Sequence, residues 1–412
     1  MTPFINERRF EEDFGALARI GSTGDGGVNR PALSQEHLEA RRWWLKRAEA
    51  AGLETRVDGA GNCSAILRAP DPNAQTLLLG SHTDSVPNGG RFDGALGVLA
   101  ALEVLRAVRD AGLELPVHLE AIDFTDEEGT LVGFIGSGAI TGQLSADGLK
   151  NPRGGRAALA AGLARAELTE AGLLSARRDP AGFAGYLELH IEQGPRLAEA
   201  GIDIGVVSGI VGIRSFRLTF RGASNHAGTT PMDARRDASL GASAFVLRAR
   251  ERVMQQYPEC VVNVGQMAFK PGAFNIIPGM AEMALEFRAP DAAQLDRLEA
   301  ALLELAHREG QPYGLSVTAE PAGVCVPAPM SDRARRAIRA ASEWLGLSHT
   351  QLHSGAGHDA QMLAPVTDAG MIFVPSQDGI SHSPLEFTEW RDCVNGANVL
   401  LRAALTLAQS EG

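Results

Sequence analysis

Two imidazoles and a carboxylate can make one tetrahedral metal site, and a shared carboxylate lets a second form beside it. Five residues of these types, His82, Asp93, Glu128, His190 and His382, stand in short runs of small or acidic residues. Those runs, each beside an expected strand end, are SHTDS, GGRFDGALG, FTDEEG, LELHIEQG and GISHSP. One such residue alone says little. Five in loop-like settings after apolar segments point to a hydrolase with two divalent metal ions. Carboxylate and imidazole ligands accept several such ions, so Zn, Mn, Co and Ni are all admissible.

The neighbours of these ligands have readable roles. Asp84 follows His82 in an HxD arrangement and is expected to accept a hydrogen bond from the ring nitrogen that His82 leaves free. Asp93 lies between glycines that let the backbone approach a metal, and its carboxylate can bridge two cations or cap the next helix. The adjacent carboxylates Glu127 and Glu128 repel unless a cation neutralises them. Glu128 is assigned as ligand and Glu127 as the general base that takes a proton from water. His190 alternates with apolar neighbours, as a core histidine would, and His382 sits in a polar loop. A second group concerns substrate: His226 in SNHAGTTPMDARRDA, Asn275 in FNIIPG and Arg288 in EFRAP. An arginine fork suits a carboxylate, and Asn and His can polarise a carbonyl; a strand arginine paired across a sheet is the structural alternative for Arg288.

These residues need elements to hold them. A helix capped by Ser34 is expected to Ala51, then a strand over 62–68 and a buried strand over Thr76–His82, TLLLGSH. A helix over 94–111 and a strand over 116–124 complete a β-α-β unit. Residues 151–180 read as two surface helices, and Tyr186–Glu192 as another strand. From residue 212 the pattern changes to β-α-β-β-α-β: strands at 212–222, 260–269, 281–289 and 315–320, helices at 234–256 and 292–309. The first pattern resumes after Pro327 with MIFVPS at 371–376 and a C-terminal helix. The expected fold is α/β: a mixed-sheet catalytic domain, 1–211 with 329–412 and helices on both faces, interrupted by a smaller ferredoxin-like α+β domain at 212–328.

The 412 residues exceed one ordinary core, which favours two domains. A net charge of −12 disfavours nucleic acid or an anionic membrane as partner, although local arginines still admit a small anionic substrate. Cys63, Cys260, Cys325 and Cys393 form no CxxC pair, and the N-terminus has no signal-like apolar run. No apolar stretch approaches the ~20 residues that span a bilayer. A cytoplasmic protein is expected.

From about residue 10 to 408 the chain resembles the M20-type metal-dependent amidohydrolases, in their hydantoinase/carbamoylase branch. The resemblance is carried by GSHTDSVPNGGRFDGALGVLAALEVL, FTDEEG, ELHIEQG, SNHAGTTPM, NIIPG, HSGAGHDAQ and GISHSP. It implies one metal on His82, Asp93 and His190, the other on Asp93, Glu128 and His382, and substrate contacts from Gln193, His226, Asn275 and Arg288. It also implies a homodimer through the inserted domain, leaving open which subunit's site His226 serves. The implied reaction is hydrolysis of an N-carbamoyl-L-amino acid to amino acid, ammonia and carbon dioxide; allantoate and β-ureidopropionate are the alternatives. An inactive binding protein on this fold is disfavoured because all ligands and the base are present. Relatives commonly follow EEG with an Arg–Phe pair where this chain has Thr130, Leu131 and Val132, and Gly138 replaces a common basic residue. Both departures bear on pocket shape rather than on the metal set.

Overall fold

The structure is a computed structural model and describes residues 3–409. It divides into two compact units, 1–208 with 329–412, and 209–328. Thirteen strands follow in chain order: β1 (Glu54–Val57), β2 (Cys63–Leu67), β3 (Thr76–His82), β4 (His118–Phe124), β5 (Phe183–Ile191), β6 (Ile204–Ile210), β7 (Gly212–Arg221), β8 (Val261–Lys270), β9 (Met280–Ala289), β10 (Ser316–Cys325), β11 (Ala328–Pro329), β12 (His349–Ser354) and β13 (Ala369–Val374).

The large sheet runs β1-β2-β4-β3-β5-β13-β6-β11, with β12 beside β6. Its centre, β4-β3-β5-β13, is parallel, whereas β1-β2, β2-β4 and β13-β6 pair antiparallel. This is the expected mixed sheet. In β3 every residue from Leu77 to His82 is buried, which requires cover on both faces. The helix Ala95–Asp110 packs on β3, β4 and β5, beside the helix Trp390–Gln409, which packs on β5 and β13, and against the helix Glu7–Leu17. It is apolar almost all round, as a helix enclosed on every side must be.

Local chemistry sets the element ends. Ser34 Oγ accepts the His37 N–H at 3.1 Å and starts the helix Gln35–Ala50, a cap worth about 1 kcal/mol. The helix expected from residue 234 begins at Ala238 instead, because Asp237 caps it by accepting the Ser239 N–H at 2.9 Å. The two helices expected within 151–180 are Arg156–Arg165 and Glu170–Ser175, and they bury Leu159, Leu163 and Leu173. The helix Glu7–Leu17 was not expected from the sequence. It buries Phe10, Phe14 and Leu17 at helical spacing, and Asp13 pairs with Arg106 at 2.5 Å.

In the second unit all strand pairs are antiparallel, in the order β10-β7-β9-β8. With helices Ala238–Gln256 and Ala292–Gly310 this is the ferredoxin-like arrangement. Phe216, Leu218, Phe220, Phe245, Leu285 and Phe287 form its core.

Candidate metal centre

Parallel strands end on one edge of a sheet, and the crevice there is where α/β folds place their chemistry. β3 ends on His82, and β4 ends at Phe124, just before the Glu127–Glu128 pair. β5 carries His190 next to its last residue, and β13 leads into the loop of His382. Asp93 stands before the helix Ala95–Asp110. The next residue, Gly94, is left-handed (φ 62°), and a Cβ there would lie 2.5 Å from His82 Nε2. Only glycine lets this helix start so close to the ring.

The side chains converge on Asp93. Its Oδ1 lies 3.1 Å from His190 Nε2 and 3.5 Å from His82 Nε2, and its Oδ2 lies 3.4 Å from His382 Nε2. His382 Nε2 is also 3.3 Å from Glu128 Oε2. Thus His82, Asp93 and His190 form one group with ligand atoms close enough for a single cation, and Asp93, Glu128 and His382 form another.

The tautomers test whether a metal fits. His82 Nδ1 lies 3.0 Å from the Asp84 carbonyl, and His190 Nδ1 lies 2.9 Å from the Ile191 carbonyl. A carbonyl only accepts, so each Nδ1 carries a proton, which leaves Nε2 as the atom that faces Asp93 and can take a cation. His82 Nε2 is buried with no hydrogen-bond partner. Ring nitrogens facing a carboxylate call for positive charge between them, and this donor set suits a divalent cation. The titration behaviour shows the same demand, met by protons on the rings where no cation is bound. Burial opposes charge on His82, but Glu127, Asp93 and Asp84 outweigh it and draw its pKa well above the usual range. Burial would raise Asp93, yet His190, His382 and His82 hold it well below the usual carboxylate range. The bond to Asp93 lifts His382 to about 9.

Glu127 Oε2 lies 3.5 Å from His82 Nε2. Burial, opposed by His82 and reinforced by Glu128, Asp359 and Asp93, pushes its pKa well above the carboxylate norm. Glu128 rises to about 7, through burial and then the charge of Asp93. Asp84 behaves differently from the expectation. The bond to His82 comes from its backbone carbonyl, because Asp84 lies past the end of β3 and its side chain turns away, Oδ1 being 3.8 Å from the ring nitrogen. That carboxylate instead lies 3.3 Å from the N–H groups of Glu127 and Glu128, taking one on each oxygen.

Gln193 Nε2 donates to Asp93 Oδ2 at 2.8 Å, which places it in this centre. In the second unit, His226 and Asn275 are brought together: His226 bridges to Ile276, and the Ala227 N–H reaches the Asn275 carbonyl at 3.0 Å. His226 Nδ1 accepts from Gly228 and Thr229, so its Nε2 carries the proton. Arg288 lies on β9, its Nε and Nη2 on Glu286 Oε1 at 3.0 and 2.8 Å.

Three supporting groups escaped the reading of the sequence. Glu386 Oε1 accepts the N–H groups of Phe92 and Asp93, and its Oε2 accepts Ser381 Oγ–H, so one carboxyl joins the Asp93 and His382 loops. Its one signal was its place just after GISHSP. His358 packs edge-on to His190 with ring centroids 4.5 Å apart; it stood in HSGAGHDAQ without a role. Glu188, close to both histidines, already accepts from Ser81 Oγ, Tyr186 Oη and the Ala360 N–H. It is a hydrogen-bonded support rather than an open ligand.

Residues 78–406 match the profile of peptidase family M20/M25/M40. The chain belongs to that family. Among curated proteins it is 38% identical over 397 residues to an N-carbamoyl-L-amino acid amidohydrolase of Geobacillus stearothermophilus, covering 96% of this chain and 97% of that one. It is 34% identical over 409 residues to an allantoate amidohydrolase of Escherichia coli K12, covering 97% of each. A solved amidase of the hydantoinase/carbamoylase family from Burkholderia multivorans superposes with a TM-score of 0.91 at 35% identity over 99% of both chains. Within M20 the chain therefore lies in the hydantoinase/carbamoylase branch and is a hydrolase of amide bonds.

Proposed function

We propose that this M20 hydrolase removes the terminal carbamoyl group of an N-carbamoyl-L-amino acid, using two divalent cations. The observation that carries the proposal is the convergence of two ligand groups on Asp93 with Glu127 beside them. His82, Asp93 and His190 would hold one cation, and Asp93, Glu128 and His382 the other. Such a pair supplies an activated water and polarises the scissile carbonyl. Glu127, beside His82 at 3.5 Å, removes the proton from water and delivers it to the leaving nitrogen. Ammonia departs, and the remaining N-carboxy amino acid loses carbon dioxide. His226 and Asn275 donate to the carbonyl oxygen as charge develops, Arg288 takes the substrate carboxylate, and Gln193 takes a polar substrate group. The identity of the cation, Zn, Mn, Co or Ni, follows availability.

A homodimer through the second unit is part of this reading. β8 is an edge strand with Val261, Met267 and Phe269 exposed, and the helix Ala238–Gln256 shows Leu240, Leu247 and Met254 at heptad spacing. An open edge beside an apolar stripe fits isologous pairing. All four cysteines are free, which fits a reducing cytoplasm. Among the described residues no helix is long and apolar enough to cross a membrane.

Allantoate is the second substrate reading, supported by the similarity to the E. coli allantoate amidohydrolase at comparable coverage. Ammonia release from N-carbamoyl-L-amino acids, β-ureidopropionate and allantoate, measured after reconstitution with Mn²⁺, Co²⁺ or Zn²⁺, separates them. The proposal expects the highest kcat/KM on an N-carbamoyl-L-amino acid; a clear preference for allantoate overturns it.

A further inference from the structure

Asp126, immediately before Glu127, is buried and left-handed at φ 57°. A residue with a Cβ takes that conformation when its surroundings impose it. Here the loop itself imposes it. Asp126 Oδ1 accepts the Leu131 N–H at 3.0 Å and lies 3.4 Å from the Thr130 hydroxyl, while Oδ2 accepts the N–H groups of Val132 at 2.6 Å and Gly133 at 2.8 Å. Thr130 Oγ in turn accepts the Ala32 N–H at 3.0 Å, which ties the loop to the turn before the helix Gln35–Ala50.

The loop folds back on itself. Gly129 and Gly133 are both left-handed, at φ 71° and 104°, and a Cβ on Gly129 would lie 3.3 Å from Gly133 Cα. At the near end Asp84 holds the Glu127 and Glu128 N–H groups, each at 3.3 Å. The peptide bearing Glu127 is therefore gripped by Asp84 and preceded by a residue locked to the far side of the loop. A carboxylate accepting several N–H groups makes strong, directional bonds. Placed one residue from a reacting group, such a lock limits how far that group can wander.

We infer that Asp126 is a positioning residue for Glu127: by closing the turn from 126 to 133 it keeps the Glu127 carboxylate beside His82 Nε2. The inference rests on the reading of Glu127 as the base. Both Asp126 oxygens are turned to residues 130–133.

Two variants test it. Asp126→Gly accepts the left-handed backbone freely and removes the carboxylate, whereas Asp126→Asn keeps one acceptor oxygen and still tolerates that backbone. Each is assayed for kcat and KM after reconstitution with Mn²⁺. The substrate is whichever of N-carbamoyl-L-methionine, β-ureidopropionate and allantoate the wild type hydrolyses fastest. Amide hydrogen exchange at 131–133 is read in the same variants without added metal. The expected result for Asp126→Gly is a kcat lower by about 10- to 100-fold with KM nearly unchanged, faster exchange at those amides and wild-type manganese content. Asp126→Asn falls between it and wild type.

A kcat close to wild type in Asp126→Gly overturns the inference. So does a loss of kcat matched by loss of manganese, the mark of a purely structural role. If Asp126→Gly does not fold, Asp126→Asn decides by the same criteria. Glu127→Gln is measured alongside. Full turnover there removes the base reading and this inference with it; loss there, without loss in the Asp126 variants, removes the inference alone.

Discussion

The candidate site residues of the two units sit in different surroundings. In the first, His82, Asp93 and Glu127 are withdrawn from water, with 0%, 5% and 9% of their surface exposed. In the second, the Arg288 and Glu286 side chains keep 32% and 38% of theirs, and His226 is exposed. Carboxylates crowded in a low-dielectric crevice are stable only with compensating positive charge, and their strained electrostatics are a resource for chemistry. Pairs this exposed are worth little to stability, so giving up Glu286 for the proposed substrate carboxylate would cost the fold little. The contrast fits the proposed division, with reaction in the first unit and recognition in the second.

The largest effect should come from the residue both ligand groups share. Asp93→Asn is expected to lose cation binding at both positions and all measurable turnover, with metal content read by elemental analysis. Retention of both cations would break the contrast at its centre. Next, Glu127→Gln should keep its metal and lose roughly 10²- to 10⁴-fold in kcat, the usual worth of a general base. A kcat within a few-fold of wild type would remove Glu127 from that role.

In the second unit the effect should fall on KM. Arg288→Ala is expected to raise KM for carboxylate substrates about 10- to 100-fold with little change in kcat, because it removes binding rather than transition-state stabilisation. An unchanged KM would deny the recognition role.

These contrasts were unevenly legible in the sequence. The five candidate ligands could be read because they stand at or beyond the ends of apolar strands, among glycines or acids, and TLLLGSH announced a strand buried on both faces. The ferredoxin-like order was visible in the change of periodicity after residue 212. The supports were not visible, because their partners are backbone groups distant in sequence: Glu386 holds the amides of Phe92 and Asp93, and Asp84 holds those of Glu127 and Glu128. No side-chain pattern encodes such a bond. The helix Glu7–Leu17 went unread because its three apolar anchors stand among many charged residues. The place of Arg288 on β9 was legible, but the structural alternative foresaw a partner across the sheet, whereas Nε and Nη2 bond Glu286 two residues away on the same strand.

The smallest effect concerns a buried group of the first unit outside the metal centre. His37 Nδ1 accepts the Leu33 N–H at 2.9 Å, and burial, followed by Arg41 and Arg30, holds its pKa well below the ordinary 6.5. The folded state then binds fewer protons than the unfolded one, so this contribution is full above about pH 6.5 and declines as pH falls below it. Urea unfolding should show stability falling from pH 7.5 to 5.5, with a shallower fall in His37→Asn. Identical slopes would mean that His37 is not the group being titrated.

The account stands on Asp93 serving two cations at once. Titrating chelator-treated wild-type protein with Mn²⁺ and counting ions per chain tests this most directly. The account expects two ions per chain, with turnover completed only as the second binds. Full turnover with a single ion, or with none, would contradict it.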